Sequence, residues 1–224
     1  LAAQASHLSG DHQAARRYFN SLLNDSETAF LGHIGLMRLA IEDQDTSKAH
    51  DSARAALEIK PTSVLAARQL LYLEARQANW QAALPALDVI SKAQKKSKNK
   101  SSNSEQVRNL SRHRCALEFL RARDLLASDR QAAIGALGAS LKIDQGFLPA
   151  LITLADLYLN DESYVKAAKT LERGFQRTPH TAIVERLKKA WKSNDGQFIA
   201  RLVKLLKKVD KKQHRLAYHI VAEQ

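Results

Sequence analysis

LPALITLADLYLNDESYVKAAKTLERGFQRTPHT, residues 148–181, carries the pattern on which the rest of the chain is built. Its first half places Leu148, Leu151, Ile152, Leu154, Ala155, Tyr158 and Leu159 on one stripe of 3.6-residue period. Its second half does the same with Tyr164, Ala167, Ala168, Leu171, Gly174 and Phe175. The polar run Asn160-Asp161-Glu162-Ser163 separates them, and Pro179 stops the second helix because proline cannot continue a helix interior. Small residues at Ala155, Ala167 and Gly174 let the two helices approach closely. A helix pair 34 residues long cannot bury its apolar stripe alone, so it demands neighbours of the same kind.

Those neighbours are readable. One step of 34 before Ala167 lies Ala133, and Ala83, Ala49 and Ala15 form a second series of the same step. The two series are offset by an insertion of 16 residues. Four residues after each alanine stand Leu171, Leu137, Leu87, Ala53 and Phe19. Polar turns precede them at Gly10-Asp11, Gln44-Asp45, Ala78-Asn79 and Ser128-Asp129, an aromatic follows at Trp80 and Tyr164, and Pro61 and Pro179 close equivalent units. Period, alanine, turn and proline together resemble the tetratricopeptide repeat. The resemblance implies an all-α chain, a right-handed α-solenoid of helix pairs.

The repeats are expected at about 1–29, 30–63, 64–97, 114–147 and 148–181, with a lysine-rich insertion near 95–106. Residues 182–224 read as a degenerate basic repeat, because the next step from Ala167 lands on Arg201 and the close helix contact is lost or shifted there. Helices are predicted over 12–24, 30–42, 47–59, 64–77, 80–93, 108–127 and 130–143. KAQKKSKNKSSN, residues 92–103, is expected to be a solvated loop. Ala49, Ala83 and Ala167 should be buried where paired helices cross.

The chain has 224 residues, 45% hydrophobic and 26% charged, ample for a packed solenoid. No apolar run approaches the ~18 residues that a membrane span requires. The opening LAAQASHL reads as the last turns of a helix already under way, so a fragment is expected, with any anchor outside it. A single cysteine, Cys115, gives no internal disulfide and fits a reducing compartment. It lies beside Arg112 and Arg114, which would lower a thiol's pKa; the other reading is a small packing residue. The eight histidines (His7, His12, His33, His50, His113, His180, His214 and His219) are scattered and make no metal-ligand spacing with Cys115. No Ser/His/Asp set or carboxylate pair is readable, so neither an enzyme nor a metal site is expected.

A narrower resemblance rests on ETAFLGHIGLMRLA at 27–40, on ALEIKPTSVLAARQLLYLEARQANWQAAL at 56–84, on the basic stretch 112–115, and on Phe147-Leu148-Pro149-Ala150. These segments are similar to the soluble region of the HemY-type proteins of proteobacteria. That resemblance implies a scaffold associated with a late stage of haem biosynthesis, with an enzyme of that stage as partner. It also implies the bacterial inner membrane, with the soluble domain on the cytoplasmic side and the anchoring helices outside this chain. Haem or porphyrin contact belongs to the same context, though no residue is selected as a ligand and no cofactor is expected. The family name is shared with protoporphyrinogen oxidases, but the glycine fingerprint of a dinucleotide site does not occur here.

Formal net charge is +12, and residues 182–224 hold 11 Lys and Arg against 4 acids, +7 of that total. Lys188, Lys189, Lys204, Lys207, Lys208, Lys211 and Lys212 form the expected basic surface, which would attract anionic lipid head groups by ~1 kcal/mol per residue. Nucleic acid would be attracted by the same charge. No stacking aromatics alternate with the lysines, so no specific nucleic-acid partner is expected. The expected function is a non-catalytic protein–protein scaffold. A general assembly or chaperone-like adaptor and a basic nucleic-acid-binding solenoid are the alternatives. First helices of such pairs line a groove, which here would present Arg38 and Glu42, then Arg68, Tyr72 and Arg76, then Asp156 and Asn160. An acidic or aromatic partner segment suits them, since arginine pairs bidentately with carboxylates and tyrosine adds rigid contact area.

Overall fold

The computed structural model describes residues 1–96, 100–192 and 195–223, the side chains of 100–104 and 195 apart. Among these residues every regular element is helical: α1 (Ala2–Leu8), α2 (His12–Ser21), α3 (Ala29–Glu42), α4 (Thr46–Ile59), α5 (Val64–Arg76), α6 (Trp80–Lys96), α7 (Lys100–Leu125), α8 (Arg130–Ile143), α9 (Leu148–Asn160), α10 (Tyr164–Arg177), α11 (Thr181–Trp191), α12 (Asp195–Leu206) and α13 (His214–Ala222). The architecture is all-α, built of tetratricopeptide-type helix pairs. Two compact units, Leu1–Leu110 and Ser111–Gln224, divide the chain, and α7 crosses the boundary.

The repeat is built locally before it is packed. Asp11, Asp45 and Asp129 cap α2, α4 and α8, each accepting the backbone N–H three residues on at 2.9–3.0 Å. The turn in front of each cap has its own geometry. Gly10, Gln44, Ala78 and Glu162 adopt positive φ of 81°, 59°, 56° and 53°. The residue after each (Asp11, Asp45, Asn79, Ser163) donates its N–H back to the carbonyl five residues earlier, at 2.8–2.9 Å. This is the Schellman closure of a helix end. At the junction of α7 and α8 it is absent: Asp129 N–H reaches Leu125 O, four residues back, and Ser128 has no positive φ.

Packing follows the 34-residue register. Ala15, Ala49, Ala83, Ala133 and Ala167 are fully buried, as are Ala53, Leu87, Leu137 and Leu171 four residues on, with Phe19 nearly so. Gly174 shows why small residues are needed: a Cβ there would lie 2.1 Å from Leu151 Cδ2. The register then slips by one. In α12 and just beyond it, the buried residues Leu202, Leu206 and Val209 stand 35 residues after Ala167, Leu171 and Gly174. Arg201, which a 34-residue step would have buried, therefore faces solvent. Residues on both sides of 181 share one core: Ile183, Val184 and Leu187 pack in the same cluster as Leu171 and Phe175.

The expected loop at 92–103 is largely helical. α6 continues to Lys96 and α7 begins at Lys100, eight residues before the predicted start; residues 97–99 lie outside the described residues. Lysine, glutamine and alanine are good helix formers, and a lysine-rich face is solvated as readily on a helix as in a loop. Gln94 of α6 donates to Gln106 of α7, tying the two helices together.

Candidate functional site

In the first unit the first helices of successive pairs, α3 and α5, carry the expected groove residues on exposed faces. Arg38 and Glu42 lie on α3, and Arg68, Tyr72 and Arg76 lie on α5. A cleft of about 290 Å³ opens between the pairs, lined by Ala40 and Ile41 of α3, Thr46 of α4, and Gln69, Tyr72 and Arg76 of α5. The Arg76 guanidinium sits 5.7 Å from the Tyr72 ring centroid, and its Nη1 donates to the Tyr72 hydroxyl at 3.3 Å. Cation and aromatic thus hold each other in place at the cleft mouth.

The stripe is also apolar, which sequence reasoning missed. Leu31 is 57% exposed, Ile41 40%, Leu65 46% and Tyr72 53%. The signal was available: Leu31 and Leu65 are 34 apart, and each stands seven residues before Arg38 or Tyr72 on the same helix face. An exposed leucine is indistinguishable from a core leucine in sequence until its neighbour helices are placed.

Glu42 is already engaged. Its carboxylate meets His7 Nε2 at 2.8 and 3.0 Å, and His12 Nε2 lies 3.5 Å away. Next to it, His12 Nδ1 bonds Asp43 Oδ1 at 3.0 Å and Arg16 pairs with Asp43 Oδ2. The His12 hydrogen bond, helped by Arg16, holds the Asp43 carboxyl below its ordinary pKa. Read along the chain, His7 and His12 looked like scatter. The turn at Gly10 brings them together, ring centroids 6.1 Å apart, against the end of α3. Among the described residues no group of three His, Cys, Asp or Glu could hold a metal ion.

Asp156 and Asn160 belong to the second unit. Asn160 is exposed, but Asp156 is clamped by Arg186, whose Nε and Nη2 reach its two oxygens at 2.7 and 2.9 Å. That bidentate bond raises the Arg186 pKa and leaves Asp156 occupied. Cys115 is a packing residue. It is 2% exposed, its Sγ donates to Ser140 O at 3.6 Å, and Ser140 Oγ donates to Cys115 O at 3.0 Å. Burial, then the charge of Asp144, pushes its thiol pKa up, opposite to the direction expected from Arg112 and Arg114. All seven lysines of the expected basic surface are exposed. Lys204 and Lys208 line a pocket, and Lys188 stands 5.9 Å from the Phe198 ring.

No protein-family profile matches the chain. No curated protein matches it in sequence. Solved structures similar to it include MamA, at 16% identity and TM-score 0.36, covering 85% of this chain and 92% of MamA. They also include YrrB, described as a TPR protein with an unusual peptide-binding site, at 14% identity and TM-score 0.41, covering 90% and 96%. The TPR domain of P58(IPK) aligns at 13% identity and TM-score 0.39, over 99% of this chain and 64% of that one.

Proposed function

We propose that this chain is a non-catalytic interaction scaffold that captures an acidic, apolar-anchored segment of a partner protein along α3 and α5. The carrying observation is the cleft that joins Ile41, Tyr72 and Arg76. Arg38 and Arg68 are exposed on the same two helices. An exposed apolar stripe rimmed by cations matches a ligand with Leu, Phe or Tyr anchors and Asp or Glu between them. A charge-assisted arginine–carboxylate bond contributes about 1.5–3 kcal/mol. Glu42 and Asp156 take no part as free acids, because His7 and Arg186 hold them.

Selection of displayed random peptides on the full chain tests the reading. Enriched sequences should combine acidic with aromatic or leucine residues. Their affinity should fall at least tenfold in Arg68→Glu/Arg76→Glu and in Tyr72→Ala, and less than twofold in Lys211→Glu/Lys212→Glu. Enriched peptides lacking acids, or binding indifferent to the α5 variants, would overturn it.

The finer assignment is a HemY-type scaffold serving a late haem-biosynthesis enzyme at the bacterial inner membrane, and the sequence resemblance supports it. Crosslinking through position 72 in membranes should then capture an enzyme of that stage; capture of unrelated proteins only would remove the assignment and leave the groove reading intact.

A further inference from the structure

The second unit holds a pocket of about 590 Å³ between α10, α11 and α12. Its walls carry four cations: Lys169 from α10, Arg201 and Lys204 from α12, and Lys208 just beyond its end. Arg201 is there because of the one-residue slip, which turns it out of the helix interface. The wall's single acid is Glu172, whose Oε1 accepts the Trp191 Nε1–H at 3.0 Å. Among the described residues none of the four cations has an acid within ion-pairing distance. Like charges converging on one cavity with low-dielectric walls focus a positive field into it.

The rest of the lining is apolar. Trp191 is half-buried with the Arg201 guanidinium 5.7 Å from its ring, and Val165 at the rim is 82% exposed. The volume falls among those of small-molecule sites, roughly 300–1,000 Å³. A nucleic-acid strand would need a row of stacking faces. Here Lys192 covers the second aromatic ring, Tyr164, at 3.6 Å, so one compact ligand fits better than a polymer.

We propose that this pocket is an oxyanion site for a phosphate-bearing ligand with an apolar body. The cations take the phosphate, and Trp191, Val165 and Leu205 take the adjoining apolar group. The same chemistry is offered by a soluble phosphate ester and by an anionic phospholipid head. The site lies in a different unit from the peptide groove and stands whether or not that groove binds a partner.

The chain has two tryptophans, so Trp80→Phe leaves Trp191 as the sole reporter inside the pocket. Full-length protein is titrated with phenyl phosphate, with vesicles of phosphatidylglycerol in phosphatidylcholine, and with phosphatidylcholine vesicles. A saturable change in Trp191 emission is expected with phosphate-bearing probes and none with phosphatidylcholine alone. A response to phenyl phosphate assigns a soluble ester; a response to phosphatidylglycerol vesicles alone assigns the lipid head. Arg201→Glu/Lys204→Glu should weaken the response at least tenfold, and the milder Arg201→Gln/Lys204→Gln at least threefold. Lys211→Glu/Lys212→Glu, with the same charge change outside the pocket, should alter it less than twofold. Equal loss in the pocket and outside variants would reduce the effect to diffuse charge, and the absence of any saturable response would remove the site; either result overturns the proposal.

Discussion

Replacing Ala78 by glycine should make the first unit more stable. Ala78 holds φ of 56° in the turn between α5 and α6, where an L-residue's Cβ crowds the following carbonyl. That conformation costs a non-glycine residue roughly 1–2 kcal/mol. Glycine relieves it but loses about 0.5–1 kcal/mol in extra backbone entropy on folding. The net expectation is a gain of roughly 0.5–1 kcal/mol, with no packing lost because the Ala78 side chain is exposed. Gln44→Gly in the same unit and Glu162→Gly in the second should behave alike, at φ of 59° and 53°. Two controls sharpen the test. Gly10 has φ of 81°, and no atom lies within 4 Å of the point a Cβ would occupy, so Gly10→Ala should cost the backbone term alone. Ser128 occupies the same register position but lacks positive φ, so Ser128→Gly should destabilise by about 0.5–1 kcal/mol. Urea midpoints at unchanged slope, followed by circular dichroism, measure each difference. If Ser128→Gly stabilised as much as Ala78→Gly, the effect would not come from the left-handed turn and the reasoning would fail.

Three further outcomes are expected. Gly174→Ala drives a methyl group to 2.1 Å from Leu151 Cδ2 and should lose about 1–3 kcal/mol by overpacking, whereas Gly138→Ala, with open space around it, should gain up to about 1 kcal/mol of helix propensity; urea titration of both distinguishes them. Cys115 should react with a thiol reagent only as fast as the second unit opens, because it is 2% exposed with its pKa pushed up; labelling as fast as that of a free thiol would contradict the packing. Burial lowers the His33 pKa from 6.5, against the opposing charge of Glu58, so the folded chain binds this proton less readily than the unfolded one. Its contribution is full above that ordinary value and declines as pH falls towards the folded pKa, and His33→Gln should flatten that part of the stability–pH curve.

The helix pairs were legible because amphipathic periodicity and capping are local. Ala15, Ala49, Ala83, Ala133 and Ala167 announce the crossing points through residue size and a fixed 34-residue step, and the structure buries every one of them. The exposed faces of α3 and α5 were legible for the same reason, since Arg68, Tyr72 and Arg76 recur every four residues on one helix. Composition misread residues 92–96 and 100–103, where lysine signalled a loop although its helix propensity is high.

What the sequence by itself determined is the order and period of the helices, the buried small residues, and the exposed arginines and tyrosine of α3 and α5. The tertiary structure alone decided which of the polar groups remain free. Asp156 meets Arg186 across 30 residues and Glu42 meets His7 across 35, separations set by the packing of one helix pair on the next. It also decided that Leu31 and Leu65 stand exposed on α3 and α5, and that a 35-residue step turns Arg201 into a pocket instead of a core. The physical reason is that periodicity is fixed by the geometry of one helix, whereas charge pairing and exposure depend on the distance between helices, which a repeat pattern leaves undetermined to within a residue.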